Sequence, residues 1–127
     1  MFEHIGITIT KESDIKDFYQ NLLGLKEVRK FDLYDDLSEK IFGINAPVSV
    51  TFFSSNDFFI ELFLTDKKQN PVYNHICISV PNRHNIIKKA KSMGFSVTNI
   101  EREARDDLVF IKDNSGNIFE IKEELTL

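Results

Sequence analysis

The sequence predicts an α+β fold in which two βαβββ modules form a curved eight-stranded mixed sheet with a trough. The main observation is an internal repeat, because residues 4–9 read HIGITI and residues 75–80 read HICISV. Each of these openings precedes an amphipathic segment that stops at a glycine, Gly24 or Gly94. Each half later contains an apolar segment with one embedded acid, FFIELFL in the first half and NIFEIK in the second.

The repeat divides the chain into module one (1–64), a linker (65–74) and module two (75–127). The linker is predicted from its polar composition and from Pro71. A length of 127 residues suits a single domain containing both modules.

Module one is predicted to begin with strand 2–9, in which three isoleucines alternate with smaller or polar residues. Ser13 is the expected N-cap of a helix that ends at Gly24, and strand 25–31 follows. The helix is predicted from an apolar stripe at Ile15, Phe18, Tyr19, Leu22 and Leu23.

Residues 32–47 predict a loop with a short amphipathic helix over 37–44, which we expect to cover a pocket. Strands 48–53 and 58–64 then form a hairpin around the polar turn 54–57.

Module two repeats this order. Strand 75–80 precedes a helix that begins near Asn82 and ends at Gly94. Strands 95–100, 107–112 and 117–122 are predicted to follow. The helix has an apolar stripe at Ile86, Ile87, Ala90 and Met93.

The composition argues against nucleic-acid binding and against association with a membrane. A net charge of −4 disfavours a nucleic-acid or anionic-membrane surface, since both require clustered basic residues. No apolar run approaches the length of about eighteen residues needed to span a bilayer. Because the first residues are predicted to enter a strand at once, we expect no signal peptide. The single cysteine, Cys77, suits a reducing compartment. We therefore expect a cytoplasmic protein.

Strand alternation places His4, Glu61, His75 and Glu120 on the faces that turn away from the helices. A single histidine on a strand is most often only hydrogen-bonded, but a carboxylate among apolar residues needs a cation nearby. Because both residue types recur at matching places in the two modules, the sequence predicts four ligands of one divalent metal ion. Two imidazoles and two carboxylates suit Ni, Co, Mn, Fe or Zn, and the absence of thiolates disfavours a closed structural zinc site.

The same faces carry the residues expected to line the pocket, which are Thr8, Phe59, Phe63, Cys77 and Ser79. Cys77 is interpreted as a wall residue rather than a nucleophile. His84 and Lys122 are interpreted as surface residues, although Lys122 is placed where it could pair with Glu120.

On these motifs the whole chain resembles the vicinal oxygen chelate superfamily, which includes glyoxalases, bleomycin-resistance proteins and dioxygenases. The segments that carry the resemblance are HIGITI, DFYQNLLGL, FIELF, HICISV and the terminal DNSGNIFEIKE. The resemblance implies that the metal ligands fall at the four positions named above. It also implies a small-molecule substrate. We expect a homodimer, because an open module edge favours pairing.

The His-Glu-His-Glu pattern resembles that of bacterial glyoxalase I, a metal-dependent lyase that isomerises a hemithioacetal. This likeness implies that Glu61 and Glu120 are catalytic as well as ligating, with Glu120 as the residue that transfers the proton. The positions that hold glutathione in that enzyme are Thr8 and Thr65 here, where the family has Arg and Asn. An epimerase of the methylmalonyl-CoA type and a non-catalytic, bleomycin-resistance-like binding protein therefore remain alternatives.

Overall fold

Two compact units, Met1–Lys68 and Gln69–Leu127, make up the chain. A computed structural model describes residues 3–56, 58–66 and 73–125. Phe2 of the first predicted strand, Asp57 of the predicted turn and residues 67–72 of the predicted linker lie outside the described residues. The division between the units falls within the predicted linker, and each unit is described by itself.

In the first unit, a four-stranded sheet has the order β1-β4-β3-β2. β1 is parallel to β4, while β3 is antiparallel to both β4 and β2. The strands are β1 (His4–Ile9), β2 (Lys26–Leu33), β3 (Val48–Ser54) and β4 (Phe59–Leu64). This arrangement confirms the predicted βαβββ order. The pairing of the first strand with the last is set by the tertiary structure.

The first helix, Ile15–Leu22, buries four residues of the predicted apolar stripe (Ile15, Phe18, Tyr19 and Leu22). Tyr19 stacks on Phe53 of β3, with 6.3 Å between the ring centroids. The helix differs from the expected α-helix in its hydrogen bonds, which have π-type spacing: the Leu23 N–H donates to the Phe18 carbonyl at 2.9 Å. The residue at its N-cap is Asp14, so the prediction of Ser13 is wrong by one position.

Between β2 and β3 lies the insertion helix, Asp35–Phe42, two residues earlier than predicted. Gly43 follows it with φ +71, a left-handed conformation that ends the helix at no steric cost. Most of its apolar side chains are exposed, including Leu37 and Ile41. Its Phe42 ring meets Phe63 of β4 edge-on at 5.2 Å.

The second unit repeats the topology with the order β5-β8-β7-β6, in which β5 is parallel to β8. The elements are β5 (Ile76–Val80), a helix (Arg83–Ser92), β6 (Ser96–Ile100), β7 (Leu108–Lys112) and β8 (Ile118–Glu123). Asn82 caps the helix as predicted, since its side chain accepts a hydrogen bond from the Asn85 N–H at 3.2 Å.

All eight predicted strands are present, but their hydrogen bonds group them into two four-stranded sheets rather than one eight-stranded sheet. Each module completes its own ladder because its first strand pairs with its last. Apolar residues of the helix-facing sides, such as Phe53 and Leu62 in one unit and Ile111 and Phe119 in the other, are fully buried.

No helix in the described ranges is long and apolar enough to cross a membrane. The cytoplasmic location stays a prediction.

Candidate metal centre

The first unit brings two of the predicted ligands together. His4 begins β1 and Glu61 lies in β4, with His4 Nε2 and Glu61 Oε1 3.5 Å apart. The Glu61 side chain is 17% exposed and that of His4 is 48% exposed. The carboxylate is therefore largely withdrawn from water, while the imidazole remains accessible.

The second unit contains an equivalent pair. His75 Nε2 and Glu120 Oε1 are 3.7 Å apart, with side-chain exposures of 45% and 17%. This pair agrees with the first in both distance and exposure, so the two modules repeat in side-chain geometry as well as in sequence.

Strand register explains why the two pairs agree. Glu61 lies opposite Gly6 in the parallel ladder of β1 and β4, two residues beyond His4. Glu120 lies opposite Cys77, which is two residues beyond His75. In both sheets the imidazole therefore reaches along one diagonal to the acid on the neighbouring strand, on the same face.

A phenylalanine accompanies each pair, and the sequence alone did not indicate it. Phe52 lies opposite Glu61 and meets the His4 ring edge-on at 6.1 Å. Phe110 lies opposite Glu120 and meets the His75 ring edge-on at 6.3 Å. Both phenylalanines lie on the same strand face as the acid. They could have been predicted only by aligning the side-chain alternation of β3 with that of β4, and that of β7 with that of β8.

The residues predicted to line a pocket in module one lie on the face of Glu61. Phe59 stacks on Phe52 at 5.2 Å, and Thr8 lies opposite Phe63 in the ladder. A Cβ added at Gly6 would lie 3.0 Å from the Phe63 ring, so that ring closely covers the glycine. Phe63 thus occupies the space between β1 and the insertion helix.

In module two, Cys77 and Ser79 lie on the face of Glu120 and are exposed. Partial burial and, next in size, the charge of Glu120 raise the pKa of the Cys77 thiol. Because the raised pKa lowers the thiolate fraction, it supports the interpretation of Cys77 as a wall residue. Lys122 lies 3.9 Å from Glu120 and is 63% exposed, so this ion pair is weak. The interpretation of His84 as a surface residue is confirmed.

One further contact defines the state of His75. Its Nδ1 lies 3.0 Å from the Tyr73 carbonyl oxygen, which can only accept a hydrogen bond. Nδ1 therefore carries a proton, and in the neutral ring the lone pair is on Nε2, the atom that faces Glu120. Histidines that ligate metals are commonly oriented in this way.

The donor atoms of each pair fit a shared cation better than a direct hydrogen bond. Separations of 3.5 and 3.7 Å exceed the usual N–H···O range of about 2.7–3.2 Å. Two ligands bound to one ion at about 2.1 Å lie roughly 3.0–3.4 Å apart, which is close to the observed values. Among the described residues, no group of three or more His, Cys, Asp or Glu side chains has the spacing of a metal site. The four-ligand site therefore stays a prediction, built here from two described pairs.

Residues 2–121 match the sequence model of the Glyoxalase/Bleomycin resistance protein/Dioxygenase superfamily. The chain belongs to this superfamily. The resemblance noted from the sequence is thereby confirmed at the level of the superfamily, and no curated protein matches the chain significantly.

Several solved structures share the fold of this chain. The fosfomycin resistance protein FosX from Listeria monocytogenes aligns with a TM-score of 0.75 and 16% identity, covering 98% of this chain and 93% of its own. A glyoxalase family protein from Bacillus cereus aligns with a TM-score of 0.76 and 15% identity, covering 98% and 94%. A FosX variant from Listeria monocytogenes, in complex with Mn(II) and 1S,2S-dihydroxypropylphosphonic acid, aligns with a TM-score of 0.72 and 17% identity, covering 96% and 88%.

Proposed function

We propose that the protein is a metal-dependent lyase or isomerase of the glyoxalase I type, acting on a small carbonyl or thiohemiacetal substrate through an enediolate. In this proposal His4, Glu61, His75 and Glu120 hold one divalent ion. The observation that carries it is the recurrence of the same His–Glu diagonal, with the same spacing and exposure, in both modules. Each module thereby supplies one imidazole and one carboxylate, so the two pairs together supply the four donors of the proposed site.

The ligand set suits Ni, Co, Mn, Fe or Zn, because imidazole nitrogens and carboxylate oxygens bind first-row divalent ions. Mn(II) is the ion present in the FosX complex. When bound, such an ion stabilises negative charge on substrate oxygens.

The two glutamates supply the proton transfer in this proposal. A base that removes a C–H proton must be unprotonated, close to the carbon and shielded from bulk water. Glu61 and Glu120 are each 17% exposed and lie between aromatic and aliphatic neighbours. Glu120 is proposed as the transferring base by analogy with bacterial glyoxalase I, and the Lys122 ammonium lies 3.9 Å from its carboxylate.

The aromatic side chains hold the substrate in position in the proposed site. Phe52, Phe59 and Phe63 line the face beside Glu61, and Phe110 lies beside Glu120. These rings bind the carbon atoms of a small substrate and exclude water from the carboxylates. Thr8 and Thr65 carry no charge, which favours a substrate other than a glutathione adduct.

A non-catalytic binding protein of the bleomycin-resistance kind is the second candidate. It is favoured by the absence, within the described residues, of a three-ligand group with metal-site spacing. An epimerase on the same scaffold would also remove a C–H proton, so its substrate would distinguish it from a lyase.

Proton exchange separates these functions. The protein, loaded in turn with Mn(II), Ni(II) and Zn(II), is incubated in deuterated water with a panel of hemithioacetals and acyl-CoA thioesters, and C–H exchange is followed by NMR. We expect exchange in at least one hemithioacetal, lost in Glu120→Gln and retained in Glu39→Gln, an exposed glutamate on the insertion helix. Exchange of acyl-CoA alone would establish the epimerase. Metal-independent binding of a compound from the panel, without C–H exchange in any of them, would establish the non-catalytic binding protein.

We also propose that the protein is a homodimer, because sheets with open edge strands favour pairing. Light scattering coupled to gel filtration tests this directly, and a monomeric mass at micromolar concentration would contradict it.

A further inference from the structure

An arginine reaches the ligand face of the first sheet through an irregularity in β2. The register between β2 and β3 shifts between Glu27 and Arg29, so Glu27 lies opposite Phe53 and Arg29 lies opposite Phe52. Regular alternation would have placed Val28 on the face of Phe52 and Arg29 on the helix side. A β-bulge of this kind redirects a side chain, and such bulges occur often beside active sites.

The contacts of Arg29 confirm the face on which its side chain lies. Its guanidinium carbon is 5.1 Å from the centre of the Phe52 ring and 5.4 Å from that of Phe31. Both distances fall within the range of cation–π contacts. The ring of Phe52 also meets His4, so the guanidinium and the imidazole are neighbours of the same aromatic side chain.

No acid in the described ranges forms an ion pair with this arginine. Within the described part of the chain, no carboxylate lies within 4 Å of its guanidinium. Arg29 is exposed, and its planar fork of donors matches carboxylate and phosphate oxygens. A cation that is held in place by two rings and faces solvent is available to an incoming anion.

We propose that Arg29 binds an anionic group, a carboxylate, phosphonate or phosphate, of the substrate held at His4 and Glu61. This inference rests on the proposed function for the location of the substrate. Arg29, Phe52 and Glu61 form one row across three neighbouring strands. Because strands are about 4.8 Å apart and the guanidinium lies beside the rings of both Phe52 and Phe31, the anionic group is separated from the carboxylate of Glu61 by at least about one strand spacing.

The test compares two chelators that differ by one anionic group, acetohydroxamate and phosphonoacetohydroxamate. Their affinities for the Mn(II)-loaded protein are measured by titration calorimetry. We expect Arg29→Gln to weaken the binding of phosphonoacetohydroxamate by roughly tenfold or more and to leave the affinity for acetohydroxamate unchanged. Arg29→Lys is expected to recover part of the loss, because it keeps the charge without the planar fork.

Lys30→Gln is the matched control, because it removes the same charge from the next residue. Lys30 lies opposite Thr51 on the other side of the sheet and is exposed. We expect both affinities to be unchanged in this variant. Equal losses of affinity for phosphonoacetohydroxamate in Lys30→Gln and Arg29→Gln would overturn the inference, because they indicate only general electrostatics. Equal losses of affinity for the two chelators in Arg29→Gln would overturn it for the same reason.

A metal-free arm keeps this inference separate from the proposed function. The Arg29 Nε–H resonance is followed by NMR while methylphosphonate is added to the metal-free protein. A saturable shift that persists in Lys30→Gln supports anion binding at Arg29 even if Mn(II) fails to bind the wild type. Absence of any shift together with normal Mn(II) binding would overturn the inference and leave the proposed function intact.

Discussion

The substitution Glu61→Gln tests whether the first His–Glu pair binds a metal ion. It keeps the size of the side chain and removes the charge of a carboxylate that is 17% exposed and 3.5 Å from His4 Nε2. Loss of an outer partner of a metal ligand already costs about 10- to 100-fold in affinity. We therefore expect Glu61→Gln to weaken Mn(II) binding by at least about 100-fold.

This loss should also appear as lost stabilisation by the metal. Mn(II) at 100 times the wild-type Kd stabilises the folded protein by about 2.7 kcal/mol, whereas a 100-fold weaker site gains only about 0.4 kcal/mol. The difference of about 2.3 kcal/mol corresponds to a Tm shift of roughly 9 °C for a chain of this size.

Without metal the two proteins should be similar. The His4 side chain is 48% exposed, so its direct interaction with Glu61 contributes at most about 1 kcal/mol. Calorimetric titration and thermal unfolding, each with and without Mn(II), measure both effects, and Glu39→Gln serves as the control for charge. A Glu61→Gln protein that binds Mn(II) as tightly as the wild type would refute the assignment of Glu61 as a ligand.

Three further predictions concern other parts of the two sheets. Gly6→Ala places a methyl group 3.0 Å from the Phe63 ring, so we expect a destabilisation of about 1–3 kcal/mol by denaturant unfolding. An unchanged midpoint would show that the ring moves freely. The raised pKa of Cys77 keeps its thiol protonated at neutral pH, so its alkylation by iodoacetamide should be slower than that of a free cysteine at pH 7.5 and should rise steeply above pH 9. Replacement of Glu120 by Gln should accelerate that alkylation, and a rate that stays the same would contradict the stated cause. Asp113→Ala removes a 5% exposed carboxylate that accepts three hydrogen bonds within its turn, so we expect a loss of about 2–3 kcal/mol, measured by urea unfolding. A loss below 0.5 kcal/mol would indicate that water replaces those bonds.

The sequence predicted most of the fold because local periodicity and an internal repeat both report on secondary structure. All eight strands were expected, with boundaries that differ by one or two residues. The π-type hydrogen bonds of Ile15–Leu22 were not expected, since its buried residues Ile15, Phe18, Tyr19 and Leu22 have the spacing that predicts an α-helix. The insertion helix begins two residues earlier than its amphipathic pattern indicated, because the first-turn acids Asp35 and Asp36 suit a helix N-terminus.

The candidate site was also predicted only in part from the sequence. Strand alternation was sufficient to place His4 and Glu61, and likewise His75 and Glu120, on faces away from the helices. Their distances depend on register, and register is a property of two strands that are far apart in the sequence. For this reason Phe52, whose ring touches His4, could not be recognised from the residues around it.

By itself, the sequence determined the duplicated βαβββ order, the superfamily resemblance and the identity of the four candidate ligands. Those features depend on residue type and on spacing along one chain segment, which are local properties. Only the tertiary structure decided that each histidine meets its glutamate on a diagonal and that the strands form two four-stranded sheets. It also decided that a bulge turns Arg29 toward Phe52, because the facing of a side chain after a bulge is set by the partner strand and not by its own sequence.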